Sequence, residues 1–457
     1  MTPFISFLII LLISSPSYAQ TTHPKQPTSR PTSYSTSRPN KQTKKRYYRR
    51  TNKRYYRRYY RRQRTFEMRR YSLDLITIGQ GDWLFTYFGH NALHLKDYAH
   101  ARDINFNFGT FSMHNPIQLI KDYIQFKMRY WVAIESYSYA IRRYTWMNRT
   151  FSLRKIFLSN KESITLAKYL YNHAKYENRI YPYHHYKSNC STKLRDGLAL
   201  AIGPTFKKYA QQKRGWTYRK HIRDKMRPNP FILLFMDFGM GPMADRPLTW
   251  WEDMFLPDQL EAYLAAPFWQ KIRHKKLVST AKIIYKRTKP PSWNWNVYPL
   301  IYGQILLILL LAAFFWKKTK FRFFFRLLMF FVAFLGTILA FMMFATKMPE
   351  PPNNANILLF HPFHWWVWWK TSSSRWKLES TPRLLRHYFM IHLIIGLIYL
   401  ILKIFSVVPI QTNLHYFIFM LSISLMAIIY FIIYPYPSSI EEDSEQTSTE
   451  KNISSSH

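Results

Sequence analysis

Four apolar runs toward the C-terminal end limit this chain most. Val297–Trp316, Phe323–Thr346, Tyr388–Val408 and His415–Tyr434 are each about the 20 residues that a helix needs to cross a bilayer. Lipid offers no partner to a backbone N–H or C=O, so segments of this kind fold as helices. Residues 296–436 are therefore expected to form an α-helical transmembrane region with four helices. The run Lys317-Lys318-Thr319-Lys320-Phe321-Arg322 follows the first span and marks its inner end. The loop from Lys347 to Arg386 then falls outside although it is also basic, in partial conflict with the same rule. Within it, Asn353-Asn354-Ala355-Asn356 and His361-Pro362-Phe363-His364-Trp365-Trp366 read as interfacial. The aromatics would lie at headgroup depth, and the histidines read as membrane-surface residues rather than ligands.

The N-terminal end points to export. Met1 to Ala19 holds a short apolar run, Phe4 through Ile13, and ends in Ser17-Tyr18-Ala19, with small residues where signal peptidase cuts. Residues 20–70 are low-complexity, first Pro/Ser/Thr-rich and then basic. Lys44-Lys45-Arg46-Tyr47-Tyr48-Arg49-Arg50 is echoed by Lys53-Arg54-Tyr55-Tyr56-Arg57-Arg58 and by Tyr59-Tyr60-Arg61-Arg62. This segment explains how a chain that is 48% hydrophobic has a mean hydropathy of only -0.26 and a net charge of +42. A like-charge block repels itself and buries no core, so the segment is expected to be disordered. In an exported protein its counter-charge is anionic lipid or lipopolysaccharide rather than nucleic acid. The Ser-rich acidic tail, 437–457, is also expected to be disordered.

Between these ends lies a folded domain, 71–295. Tyr71–Ile78 alternates as a strand, and Phe88-Gly89-His90-Asn91-Ala92-Leu93-His94-Leu95 gives a second with His90, Ala92 and His94 on one face. In the third, Asp103–Gly109, Ile104, Phe106 and Phe108 face one side and Asp103, Asn105 and Asn107 the other. Helices are expected from about Pro116 to Met128 and from Ser163 to Ala174. The domain is thus α+β. Its last part, about 205–295, is basic and Trp-rich, holds no independent chemistry, and is expected to pack the domain against the bilayer.

The chemistry centres on Cys190, the only cysteine in the chain. One cysteine excludes an intrachain disulfide framework and any multi-cysteine metal site. Ser191 or Thr192 can cap the helix that opens here, Leu194, Leu198 and Ala201 repeat along one face, and Gly203-Pro204 stops it. The thiol therefore stands at a helix N-terminus, where orphan N–H groups and the macrodipole favour a thiolate. The bland reading is a small buried apolar residue, but the flanks are polar. A nucleophile needs an imidazole base and a group to hold that ring. His90, His94, His100, His114, His173, His184 and His185 are candidates on residue chemistry alone.

Gly89-His90-Asn91-Ala92, then Asn107-Phe108-Gly109-Thr110-Phe111, then Asn189-Cys190 opening a helix, resembles circularly permuted papain-like folds. With Tyr87-Phe88-Gly89-His90, Asn178-Arg179 and Phe255-Leu256-Pro257, residues from Tyr71 to about Leu256 are similar to the exported domain of Lnb-type lipoprotein N-acyltransferases of Bacteroidota. The resemblance implies a membrane-anchored thiol acyltransferase on the periplasmic side of the inner membrane. It implies Cys190 as nucleophile, His90 as base, Asn107 as the residue orienting His90 with Asp103 and Asn105 as alternatives, and Asn189 supporting the oxyanion beside the Cys190 N–H. It also implies a phospholipid acyl donor, a diacylglyceryl-lipoprotein acceptor and no cofactor or metal. Two other readings stand beside it: a papain-like cell-wall peptidase or amidase using the same Cys/His pair, and a non-catalytic envelope adaptor whose basic segment binds an anionic polymer.

Overall fold

The computed structural model describes residues 71–112, 115–288, 303, 306–307, 309–311, 318–372, 380–409 and 411–433. The signal segment, the Arg/Tyr-rich segment, His114, the acidic tail and most of the Val297–Trp316 run lie outside these residues. Two compact units divide the described chain. The first holds residues 71–117, 129–209 and 254–288, and the second holds 118–128, 210–253 and the remainder.

The first unit is built on seven strands: β1 (Tyr71–Ile78), β2 (His90–Asp97), β3 (Arg102–Thr110), β4 (Arg129–Ser136), β5 (Phe151–Lys155), β6 (Ile180–Pro182) and β7 (Lys282–Tyr285). They form one antiparallel sheet in the order β6-β4-β3-β2-β1-β5-β7. Register follows the apolar alternation, since a slip of one residue would turn every core side chain outward. Leu73 faces Leu95, Leu75 faces Leu93, and Leu93 faces Phe106. All of these are buried, as are Leu166 and Leu170 of helix α2 (Asn160–His173) and Leu194 and Leu198 of helix α3 (Cys190–Ile202). Burying each such side chain contributes about 1.5–3 kcal/mol. On the opposite face Ile76, Ile78 and Ala92 join Ala140 and Tyr144 of helix α1 (Tyr137–Trp146) and Phe151 in a smaller core. The fold class is α+β. Strands β4 to β7 were not expected from sequence. In β4 the buried Tyr130 and Val132 alternate with more exposed neighbours, and fewer of its residues are buried than in β1.

The second unit contains three described helices long and apolar enough to cross a membrane, spanning Phe321–Phe344, Thr381–Ile404 and Leu414–Ile433. They belong to α4 (Lys318–Phe344), α6 (Ser380–Ile404) and α7 (Leu414–Ile433), with the short α5 (His364–Lys370) between the first two. Phe321, Phe325, Met329, Phe389, Phe417 and Met420 interlock in their common core.

Two stretches read as interfacial contain fully buried polar side chains. Asn354 and Asn356 are both fully buried and donate to the Phe238 carbonyl at 2.8 and 2.9 Å. His364 is fully buried as well. Asparagine enters a core when it satisfies main-chain groups, which local composition does not reveal. The 210–253 stretch also carries more polar structure than its sequence advertises. Arg219, 1% exposed, holds Asp245 at 2.9 Å, Asp237 at 3.2 Å and the carbonyls of Asp237 and Met240 at 2.6 Å each. Burial would raise the Asp237 carboxyl, but the His415 ring and the Arg223 and Arg219 guanidiniums hold it below the usual carboxylate range. Removing one member of such a buried pair strands the other's charge. Arg219→Ala is therefore expected to cost about 3–5 kcal/mol, read as a clear drop in thermal midpoint of the detergent-solubilised protein. An unchanged midpoint would remove this cluster as a stabilising element.

Candidate active site

Helix α3 begins at Cys190 because Asn189 caps it. The Asn189 Oδ1 accepts the Thr192 N–H at 2.9 Å, and the Thr192 hydroxyl oxygen accepts the Asn189 N–H at 2.7 Å. The Asn189 amide nitrogen donates to the carbonyls of His185 (2.6 Å) and Phe255 (2.9 Å). Both amide hydrogens are thus committed. The side chain anchors the start of α3 beside Cys190.

Two glycines let the sheet meet this helix end. Gly89 has φ +78° and a Cβ there would stand 2.9 Å from the Ile78 carbonyl oxygen. The turn into β2 therefore needs glycine, and His90 follows immediately. Gly109 has φ +86°, a conformation that favours glycine, and an added Cβ would lie in contact with the Cys190 Cβ at 3.4 Å. Between Asn107 and Thr110 the β3–β4 register shifts, a bulge of the kind that re-aims side chains beside active sites.

His90 is the imidazole that favours the ionised form of the thiol. Its Nε2–H donates to Asn107 Oδ1 at 2.5 Å, which leaves Nδ1 for the sulfur. Asn107 Nδ2 points on to Glu135 Oε1 at 3.4 Å, and Arg143 Nη2 donates to the same oxygen at 2.9 Å. The alternatives to Asn107 are placed differently. Asp103 accepts from His94 Nε2, whose other nitrogen bonds Asp74 at 2.9 Å. Asn105 is fully buried, and neither of its amide atoms has a hydrogen-bond partner among the described residues. Of the other histidines, His100 bonds Asp97, His173 donates to the Tyr169 carbonyl, and His184 Nδ1 accepts the amides of Tyr186 and Lys187. His185 lends its carbonyl to Asn189.

Electrostatics favour an ionised thiol. Burial by itself would push Cys190 up. The charge of His90, the hydrogen bond with it, the Asn91 N–H and the Ser191 hydroxyl more than offset this and bring the thiol down to about 7. Ser191 also donates to Asn91 Oδ1 at 3.0 Å, tying the helix to β2. Arg149, buried beneath the site, acts on the thiolate from further away; desolvation lowers its own affinity for a proton, and Tyr144 and Cys190 work against that. Glu135 is raised by burial, opposed by Arg143, His90 and Asn107. Sequence reasoning did not find Glu135, Arg143 or Arg149. They come from β4 and the region around α1, and no local motif ties them to Cys190.

Residues 46–224 match the family model described as the Lnb N-terminal periplasmic domain, and residues 292–436 match the one described as the Lnb transmembrane domain. The chain belongs to the Lnb family. No curated protein and no solved structure matches it. This Lnb-family chain is a membrane protein with a periplasmic domain, and Cys190 and its partners lie within the periplasmic match.

Thiol chemistry gives a direct test of the arrangement. Iodoacetamide alkylation of Cys190 should accelerate through a midpoint near pH 7, because only the thiolate reacts. In His90→Gln burial acts without the ring, and the midpoint should move above neutrality. Equal midpoints in the two proteins would mean that His90 does not control the thiol.

Proposed function

We propose that this protein is a cysteine acyltransferase of lipoprotein biogenesis. It would move an acyl chain from a phospholipid, through a Cys190 thioester, to the N-terminal amine of a diacylated lipoprotein. The observation that carries this reading is the Cys190–His90–Asn107 chain at the start of α3, joined in one polypeptide to membrane-spanning helices. Family membership supports the lipoprotein-processing role.

The chemistry balances without a cofactor. The Cys190 thiolate attacks the ester carbonyl, forming a C–S bond and a tetrahedral oxyanion beside the Cys190 N–H, one of the first-turn amides that lack a partner inside the helix. Collapse breaks the C–O bond, and His90 gives its Nδ1 proton to the departing lysophospholipid oxygen. The α-amine of the lipoprotein then attacks the thioester, His90 takes the surplus proton, and the thiolate leaves as the amide forms. Asn107 keeps the imidazole in the tautomer that presents Nδ1 to the sulfur. Glu135 accepts from Asn107 and so fixes which way that amide points.

The acyl donor and acceptor are both lipids, which suits a domain in one chain with spanning helices. The inner membrane is the compartment that supplies both. Purified protein in mixed micelles, given phospholipid with a labelled acyl chain and a synthetic diacylated lipopeptide, should yield labelled triacylated lipopeptide. Cys190→Ser should lower the rate by at least about 10³-fold, and Asn107→Ala by about 10–100-fold with little change in apparent KM. Release of labelled fatty acid with no lipopeptide product would make the protein a lipid hydrolase. Cleavage of a peptidoglycan stem peptide in place of acyl transfer would favour the peptidase reading.

A further inference from the structure

The second unit holds a cluster that the acyl-transfer chemistry does not use. His361 and His364 flank a tight turn closed by the His364 N–H on the His361 carbonyl at 3.2 Å, and His392 comes from the middle of α6. The three rings stand 4.5, 5.2 and 5.8 Å apart between centroids. One nitrogen from each lies within 4.8 Å of the other two. We propose that His361, His364 and His392 form a binding site for a divalent late transition metal of the zinc class.

The strongest support is an unmet lone pair. His364 donates its Nδ1–H to the His361 carbonyl at 3.1 Å, which fixes the proton on that nitrogen. Its Nε2 then carries a lone pair, is buried, and has no hydrogen-bond partner among the described residues. A native core rarely leaves such an atom unsatisfied. His392 is held between Ser424 Oγ at 2.8 Å and the Leu359 carbonyl at 3.1 Å. Both nitrogens are thus engaged, so an ion would replace one of these bonds while the other holds the ring, the outer-shell arrangement that orients metal-binding imidazoles. His364 shows the same arrangement through the His361 carbonyl.

The backbone is shaped around this cluster. A Cβ on Gly336 of α4 would stand 2.7 Å from the main chain of His361, so glycine is what allows the turn to sit there. Trp365 Nε1 donates to Thr337 Oγ1 at 2.9 Å and fixes the following turn to the same helix. Tyr388 packs against all three rings, and its buried hydroxyl also has no hydrogen-bond partner among the described residues.

Three imidazoles without thiolate or carboxylate suit zinc, copper or nickel and not magnesium or calcium. Three protein ligands leave a fourth position for water or an anionic oxygen, as in open zinc sites. Nitrogens bound to one tetrahedral ion at 2.0–2.1 Å are roughly 3.4 Å apart, so closing the site takes a shift of about 1 Å or a little more.

The test uses full-length, tag-free protein in detergent, stripped with chelator and titrated with cobalt(II) as a spectroscopic stand-in for zinc. Wild type should bind about one equivalent and develop the intense visible bands of a four-coordinate ion, displaced by zinc. His364→Gln and, separately, the less buried His361→Ala should each weaken binding by at least the roughly 10–100-fold that loss of an outer-shell partner costs. Cys190→Ser should bind as wild type does. Absence of the bands in wild type, or binding that persists unchanged in His361→Ala, overturns the proposal. Loss of the bands in Cys190→Ser would assign the ion to the thiol and overturn it equally. Acyl transfer plays no part in the readout, so failure of either idea leaves the other to stand or fall alone.

Discussion

The start of α3 is the point on which the first unit depends. A thiol there feels two opposed effects: burial favours the neutral form, and His90, the Asn91 N–H and the Ser191 hydroxyl favour the charged one. The second group wins only while the helix end, the first residue of β2 and the bulge of β3 keep their spacing. Asn189 holds the helix end, with every polar atom of its side chain engaged. Gly89 and Gly109 supply backbone conformations and clearance that no other residue provides without strain. The reactivity of Cys190 is thus a property of three elements meeting rather than of the cysteine's own neighbours in sequence.

Behind His90 runs a polar chain that ends on a charge. Asn107 bridges the ring to Glu135, and Arg143 meets Glu135 from the other side. A neutral amide between imidazole and carboxylate orients the ring without placing a full negative charge against it. Glu135 is partly desolvated and relies on Arg143, so the chain is fixed in place by the cost of leaving any member unpaired. Asn105, one turn of the pleat away, is buried with nothing to bond among the described residues. A buried water is the usual answer to such a group.

How much of this was legible in the sequence varies with how local the signal is. Strand β1 has the limits read from its alternation, and the helix beginning at Cys190 has its stop at Gly203. The words around His90 and Asn189-Cys190 carried the family. Asp103, Asn105 and Asn107 share one face of β3, so periodicity could not choose among them. The choice is made by distance along the strand from the bulge at Gly109. Glu135, Arg143 and Arg149 were beyond reach because they meet Cys190 only through sheet pairing and the packing of α1. The burial of Asn354, Asn356 and His364 was hidden for a different reason: polar and aromatic residues look alike at an interface and in a satisfied polar core, and only the partners distinguish them.

The central claim is that Cys190 carries the acyl chain. Intact-mass spectrometry of the protein incubated with phospholipid, without any acceptor, addresses it most directly. The account predicts a mass gain equal to one fatty acyl group, confined to Cys190, removed by neutral hydroxylamine and absent in Cys190→Ser. No adduct on Cys190, in protein whose thiol still reacts with iodoacetamide, would contradict it.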